Sequence, residues 1–205
     1  MTNSVGSFFD LTLQNKNLDA KIAAALERLS SAFRVLLWEQ AKEYGLSPIQ
    51  IQILIFLKYH NKKFLNVSYL AKEMNVTKPT ISDAVRVLEQ KSLIKKTADS
   101  IDTRSYSIQL TASGRRTVEK TESYASSVQQ LISKIKLSNK ELIWDALSSL
   151  IFELNRSNIL TVQRTCFSCS FFKKGIPHQC SLLNIPLQAS DIRLDCPEFA
   201  DLTTH

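Results

Sequence analysis

The residues with the most distinctive chemistry are the four cysteines of the chain, which all lie near its C-terminal end. They are Cys166, Cys169, Cys180 and Cys196, with two, ten and fifteen residues between successive members. The first pair forms a Cys-x-x-Cys knuckle, whose spacing lets both thiolates reach one metal centre. None of the 165 preceding residues is a cysteine, which disfavours a chance gathering of unrelated buried thiols. The pattern predicts a four-thiolate metal site in a small module, residues 166–205.

The identity of the metal has two readings. Disulfides are disfavoured because thiols stay reduced in the cytoplasm, the compartment we expect for this chain. Structural zinc sites usually have two knuckles, whereas fifteen residues separate the second pair of cysteines here. Aromatic and apolar residues surround the cysteines, and Cys196-Pro197 is similar to the Cys-Pro that ends many ferredoxin motifs. We expect an iron–sulfur cluster of the [4Fe–4S] kind, with Zn²⁺ as the alternative, and a supporting or surface role for His178.

A second group of residues has the chemistry to contact DNA. Within residues 78–91, Ile81, Val85 and Leu88 recur at four- and three-residue spacing, which predicts the buried face of a helix. The opposite face is polar and supplies the candidate DNA-contacting residues Thr77, Lys78, Thr80, Ser82, Asp83 and Arg86. Arginine can bind guanine through two hydrogen bonds, and short hydroxyl side chains can bind phosphates and bases. Asp83 can orient such a cation or accept a hydrogen bond from cytosine.

Two short helices joined by a few residues must hold this face, and they predict a helix-turn-helix over about 66–91. Asn66 and Thr77 are suitable N-caps, and Asn75 suits a left-handed turn position. Two short alternating runs over about 93–110 then predict a β-hairpin with a polar tip. The hairpin supplies the remaining candidate DNA contacts, Lys95, Lys96, Asp102 and Arg104.

Longer helices are predicted on both sides of this unit. Apolar residues at three- and four-residue steps predict a helix over 18–44, which Gly45 ends. Residues 48–59 are ambiguous because alternate isoleucines suggest a strand, but Ser47-Pro48 is a helix start signal and we predict a helix. Two further helices are predicted over 112–135 and 140–162. Residues 1–17 are polar and aperiodic and are interpreted as a loosely ordered arm.

The run from Val67 to Gly114 resembles the winged helix of the MarR family. The matching motifs are Leu70-Ala71, Thr77-x-x-Thr80-x-Ser82, Val87-Leu88-Glu89-x-x-x-Leu93-Ile94, Asp102-Thr103-Arg104 and Ile108-x-Leu110-Thr111-x-x-Gly114. The resemblance implies a homodimer with intertwined first and last long helices that reads a pseudo-palindromic site in double-stranded DNA, with half-sites ~34 Å apart. It also implies that Arg104 enters the minor groove and that Asp102 holds the wing. Ser92 replaces a common glycine and Thr103 a common arginine.

Composition limits the alternatives. The net charge of +7 favours a polyanionic partner. The four glycines are too far apart for a phosphate-binding loop, which disfavours Rossmann and P-loop nucleotide sites. No apolar stretch of ~20 residues or N-terminal signal is evident, so we expect neither a membrane span nor secretion. The three histidines are isolated in sequence, and no nucleophile–base set appears, so we do not expect an enzyme.

Together these patterns predict a mainly α-helical protein: a winged helix-turn-helix with a two-stranded β-wing, long dimerisation helices and a small cysteine-rich C-terminal module. The winged-helix and dimerisation domain is placed at 18–165. The predicted function is sequence-specific transcriptional regulation, tuned by the metal or redox state of the cysteine site through the spacing of the two subunits. The alternative is a regulator of the same fold with a purely structural zinc site and a small-molecule effector, bound in a cleft lined by Phe33, Trp38 and Tyr44.

Overall fold

In the computed structural model, the described parts of the chain are residues 6–98 and 106–201. The helices are α1 (Leu11–Lys16), α2 (Leu18–Glu43), α3 (Pro48–Tyr59), α4 (Val67–Glu73), α5 (Lys78–Gln90), α6 (Ala112–Thr121), α7 (Ser126–Ser133) and α8 (Leu137–Arg156). The strands are β1 (Ile94–Ala98), β2 (Tyr106–Leu110), β3 (Phe172–Lys173), β4 (His178–Cys180) and β5 (Ile185–Leu187). This mainly helical architecture with a two-stranded antiparallel wing confirms the predicted fold class.

Local side-chain chemistry sets the start of each central helix. The Ser47 hydroxyl accepts from the Gln50 amide while the Gln50 side chain accepts from the Ser47 amide, a capping box ahead of the helical proline. At the starts of α4, α5 and α6, the side chains of Asn66, Thr77 and Thr111 each accept a hydrogen bond from the amide three residues later. These caps satisfy backbone amides that have no partner within their own helix. The predicted starts of all four helices are confirmed.

The core of the lobe that α2 to α6 form with strands β1 and β2 is built around α3. Its residues Ile51, Ile53 and Leu54 are all fully buried, because α3 packs against α2, α5, α6 and β2. A helix that is buried over most of its surface carries apolar residues on several faces and largely loses its amphipathic period. This explains why its isoleucines alternate like those of a strand although the segment is helical.

The end of α5 contains a residue in a conformation that glycine adopts more readily. Ser92 has φ +56°, and its amide and that of Leu93 donate to the carbonyls of Glu89 and Leu88. This is a Schellman motif, in which the left-handed position normally favours glycine because a Cβ is strained there. The helix end is formed with serine in place of the glycine that the family pattern has.

Replacing Ser92 with glycine is expected to raise the free energy of unfolding by about 1 kcal/mol, since it relieves the left-handed strain and removes no contact of a buried group. Urea unfolding followed by circular dichroism measures the change. The matched control is Ser68→Gly at an exposed position within α4, which should lower stability by about 0.5–1 kcal/mol. Equal effects of the two substitutions would contradict the strain argument.

A close approach between the wing and α6 depends on Gly114. The Thr111 hydroxyl donates to the carbonyls of Ser92 and Leu93 and accepts from the Gly114 amide, which draws the start of α6 onto the base of β1. A Cβ at Gly114 would lie 2.0 Å from the Leu93 carbonyl oxygen. Because that neighbour is backbone, no larger residue fits here without moving the wing.

Three boundaries differ from those expected from the sequence. Residues 11–16, predicted as part of a loosely ordered arm, form α1, whose first turn Asp10 caps. The predicted helix over 112–135 is interrupted after Thr121, where Glu122 accepts hydrogen bonds from Lys58 and Tyr59 of α3 at 2.6 and 2.7 Å. The last long helix occupies 137–156 rather than 140–162 and ends in another Schellman motif at Asn158, whose φ is +58°.

The C-terminal module is a small sheet against the helical body. Strands β3, β4 and β5 pair antiparallel in that order, with Phe172 opposite Cys180 and Cys180 opposite Ile185. The indole nitrogen of Trp144 on α8 donates to the Ala189 carbonyl of the module at 2.9 Å. Within the described residues, no helix is both long and apolar enough to cross a membrane.

Candidate functional site

The second helix of the helix-turn-helix, α5, presents the polar face that the sequence predicts. Ile81, Ala84, Val85 and Leu88 are buried. The predicted contact residues Thr77, Lys78, Thr80, Ser82, Asp83 and Arg86 are all exposed. The two threonine hydroxyls at the start of the helix lie 2.8 Å apart. The helix therefore holds hydroxyl, ammonium and guanidinium groups on one solvent-facing surface, as a helix that enters the major groove requires.

Arg86 and Asp83 form an ion pair on this surface. The Arg86 Nη2 to Asp83 Oδ1 distance is 2.8 Å, and the two side chains are 66% and 70% exposed. Such an exposed pair contributes little to stability. The contact places Asp83 beside the cation that the sequence analysis expects it to orient.

The two wing lysines differ in their surroundings. Lys95 is exposed on β1, whereas the Lys96 ammonium lies 2.7 Å from the Glu89 carboxylate and 5.2 Å from the ring centroid of Tyr106. Lys96 thus ties the wing to α5, a contact that the sequence did not indicate. The predicted wing-tip residues Asp102, Thr103 and Arg104 lie outside the described residues.

Large apolar side chains are exposed on the long helices. They are Leu18, Ile22, Leu29, Phe33, Val35 and Trp38 on α2, Leu131 and Ile132 on α7, and Leu137, Leu142, Ile143 and Leu150 on α8. Ile22, Leu29 and Phe33 recur at seven- and four-residue steps and share one stripe of α2. Of the three aromatic residues predicted to line an effector cleft, Phe33 and Trp38 are exposed and Tyr44 packs against the core.

The four predicted metal-binding cysteines come together around one cavity. Cys166 and Cys169 belong to a 3-10 turn and its end, Cys180 is the last residue of β4, and Cys196 follows a bridge between residues 164 and 195. All four line a cavity of about 340 Å³, and all four are free thiols. The rest of the wall is largely apolar and includes Phe171, Phe172, Leu182, Leu183, Ile185, Leu187 and Ile192.

The thiols are spread around this cavity. Within residues 6–98 and 106–201, no three His, Cys, Asp or Glu side chains converge closely enough to hold a single metal ion. Four thiolates on one Zn²⁺ lie about 2.3 Å from the metal, so that a mononuclear site would leave no open space between them. The structure shows a cavity lined by four separate thiols.

Arg193 supplies hydrogen bonds to the cysteines that the sequence pattern did not reveal. Its amide donates to Cys166 Sγ at 3.3 Å and its guanidinium to Cys196 Sγ at 3.5 Å. Burial raises the pKa of the Cys196 thiol, and the hydrogen bond and charge of Arg193 act in the opposite direction. The guanidinium also pairs with Glu198 at 2.8 Å. These donors stabilise thiolate charge on the cavity wall.

Arg164 is a second residue that sequence reasoning missed. Its side chain is only 6% exposed and lies between the carboxylates of Glu73 and Asp195. Burial alone would lower the pKa of Arg164, but the hydrogen bonds to Asp195 and Glu73 raise it above its usual value. Burial would raise the pKa of Asp195, but Arg164 and His60 hold it well below its usual range. The sequence carries no signal for this cluster because its members lie far apart along the chain.

Comparison with known proteins relates part of the chain to the MarR family. The MarR family model matches residues 44–105. The HTH-type transcriptional repressor MdtR of Bacillus subtilis (strain 168) is 31% identical over 97 residues, which cover 47% of this chain and 61% of that protein. The chain thus spans less than two thirds of this curated relative.

Solved structures of S. aureus MepR have the same fold. MepR in its DNA-binding conformation is 27% identical, with a TM-score of 0.58 over 65% of this chain and 98% of MepR. The MepR–DNA complex is 27% identical, with a TM-score of 0.57 over 64% of this chain and 97% of MepR. These relatives are regulators and DNA-binding proteins, which confirms the prediction that the chain is not an enzyme. The MepR structures match about two thirds of the chain, a share too small to include all of the long helices and the cysteine module.

Proposed function

We propose that the protein is a sequence-specific DNA-binding transcriptional regulator, a proposal supported by the match of the MarR family model to residues 44–105. The observation that carries the proposal is the exposed face of α5, where hydroxyl and cationic side chains stand opposite a fully buried stripe. The likeness to MepR bound to DNA supports the same assignment. The net charge of +7 suits a polyanionic partner and implies an affinity that falls steeply with salt.

The proposed assembly is a homodimer on a pseudo-palindromic site. Support comes from the apolar side chains of α2, α7 and α8, which are too many and too exposed for the surface of a stable monomer. A second copy that covers these helices would place the two α5 helices on successive major grooves, ~34 Å apart.

The test of DNA recognition uses duplexes that the wild-type protein enriches from a random-sequence library. We expect Arg86→Ala to weaken binding about tenfold or more and to relax preference at one base pair per half-site, since a bidentate arginine–guanine contact contributes about 1–3 kcal/mol. Fluorescence anisotropy at fixed salt gives the affinity, and a repeated enrichment gives the preference.

Arg156→Ala is the matched control. Arg156 also pairs with an acidic residue three positions away, and its side chain is 65% exposed, against 66% for Arg86. Arg156 is the last residue of α8 and is not part of the helix-turn-helix, so this variant should bind DNA like the wild type. If the wild type enriches no common sequence, the regulator assignment is wrong.

The further proposal is that the cysteine cavity holds a [4Fe–4S] cluster. Three observations support it: four thiols that line one cavity, the cavity volume of about 340 Å³, and an apolar lining with hydrogen-bond donors directed at sulfur. The apolar surroundings of the thiols are the reason to propose a cluster ahead of the alternative, a single Zn²⁺ ion. When bound, such a cluster would supply a redox- or oxygen-sensitive group, and the regulator would respond to its state.

A further inference from the structure

We propose that Arg164 couples the cysteine cavity directly to the helix-turn-helix, so that the occupancy of the cavity controls the position of α5. The inference rests on the proposed function, in which the protein binds DNA and the cavity holds a cluster. It replaces the route expected from the sequence, in which the metal state would act through the spacing of the two subunits.

Arg164 is bound firmly to the segment that carries Cys196. The backbone of Arg164 forms a parallel bridge with Asp195, and its carbonyl accepts from the Cys196 amide at 3.0 Å. Its guanidinium donates to both oxygens of the Asp195 carboxylate, Nη2 to Oδ2 at 2.8 Å. A displacement of the Cys196 backbone therefore moves both the main chain and the ion-pair partner of Arg164.

The opposite side of the same guanidinium is bound to α4, the first helix of the helix-turn-helix. Nη1 and Nη2 donate to the two oxygens of Glu73 at 2.8 and 3.1 Å. Glu73 is the last residue of α4, and Nη1 also donates to the Tyr69 hydroxyl. The rings of Phe56, Phe64 and Tyr69 lie 5.4–5.9 Å from the guanidinium carbon. One planar group thus forms a two-sided bridge from module to DNA-binding lobe.

A second attachment joins the same two regions at the turn of the motif. Asn75 lies between α4 and α5 with φ +53°. Its side chain donates to the Ile159 carbonyl at 3.2 Å and accepts from the Thr161 hydroxyl. Residues 159–164 therefore hold both the end of α4 and the turn that sets the direction of α5.

These contacts behave as one unit because they are directional and because those of Arg164 converge on a single buried guanidinium. Hydrogen bonds of this kind weaken steeply once the donor and acceptor separate by more than about 0.5 Å. Closure of Cys196 around a cluster fixes residues 193–196 and keeps Asp195 in place for Arg164. Loss of the cluster releases that segment, so Arg164 cannot satisfy both carboxylates from the same position, and α4 loses its support. The empty state should consequently bind DNA more weakly.

The experiment compares cluster-loaded protein, purified without oxygen, with protein stripped by chelator and oxidant. The probe is the duplex enriched from the random library by loaded wild-type protein. In the wild type we expect loading to tighten binding at least tenfold and to slow amide hydrogen exchange in α4. In Glu73→Gln, which removes the negative charge and one of the two acceptor oxygens of the bridge on the α4 side and leaves the cysteines unchanged, we expect less than a threefold effect of loading, with iron content and absorbance unchanged.

Glu122→Gln is the matched control. Glu122 pairs with Lys58 at 2.6 Å between α3 and the end of α6, so that the substitution breaks an ion pair of the same lobe without touching the module. The tenfold effect should survive in it. Circular dichroism confirms that both variants fold.

The outcomes separate the proposals. An undiminished loading effect in Glu73→Gln overturns the role of Arg164 and leaves the regulator and its cluster standing. A wild type that binds iron and DNA but shows no loading effect overturns the coupling altogether. A wild type that binds DNA but no iron overturns both the cluster and the coupling, whereas one that binds no DNA overturns the proposed function.

Discussion

Replacing Cys169 with serine is expected to reduce the iron content of anaerobically purified protein from about four atoms per chain to nearly none. Cys169 is the most buried of the four cysteines, 8% exposed, and it lines the cavity. A serine hydroxyl is a poor ligand for iron compared with a thiolate, and the remaining three thiols would leave one corner of the cluster open. Elemental analysis and the broad absorbance near ~400 nm measure the loss.

Ser190→Ala is the control for this substitution. Ser190 lines the same cavity, and its replacement changes the wall without removing a thiol, so that iron and absorbance should be retained. A colourless wild-type protein with one zinc per chain would overturn the proposal of an iron–sulfur cluster and favour the alternative of a structural zinc site. The signal would then be sought between the subunits.

Replacing Arg164 with methionine is expected to lower the free energy of unfolding by about 3 kcal/mol, because removing one member of a buried ion cluster leaves its partners uncompensated. Glu73 is 22% and Asp195 43% exposed, so water can reach them in part and the loss should lie at the lower end of the range for buried pairs. Methionine keeps the aliphatic contact with the neighbouring rings, which confines the effect to charge and hydrogen bonding. Urea unfolding of the stripped protein measures it.

Arg156→Met provides the comparison. Its ion pair with Glu153, at 3.3 Å, has both side chains about two-thirds exposed, and such pairs contribute about 0–1 kcal/mol. A loss of stability in Arg164→Met no larger than in Arg156→Met would mean that the bridge between the module and α4 does not stabilise the fold.

The helix-turn-helix could be predicted from sequence because its determinants are local. The Thr77 side chain caps α5 by accepting from the amide three residues later. The spacing of Ile81, Val85 and Leu88 is sufficient to predict the buried face of the helix. The common location of the four cysteines could also be predicted from the sequence. All of them lie within residues 166–196 and none elsewhere in the chain, which indicated that they lie close together in the fold.

The features that escaped prediction depend on contacts between distant segments. Arg164 meets Glu73 across 91 residues and Asp195 across 31, and nothing in its neighbourhood marks it as buried. The interruption after Thr121 has the same origin, since Glu122 is held by two residues of α3 more than 60 positions earlier. Helical periodicity predicts which face of a helix is apolar, but it does not predict where a contact with a distant segment interrupts the helix.

The contact between Gly114 and the Leu93 carbonyl constrains how this gene can change. Every single-nucleotide change in a glycine codon that alters the amino acid adds at least a Cβ, and a Cβ here would lie 2.0 Å from a backbone oxygen. Only synonymous changes leave the wing seated on α6. We therefore expect no single-nucleotide change that substitutes Gly114 to be neutral, and we expect this position to stay glycine while other positions of the winged helix vary.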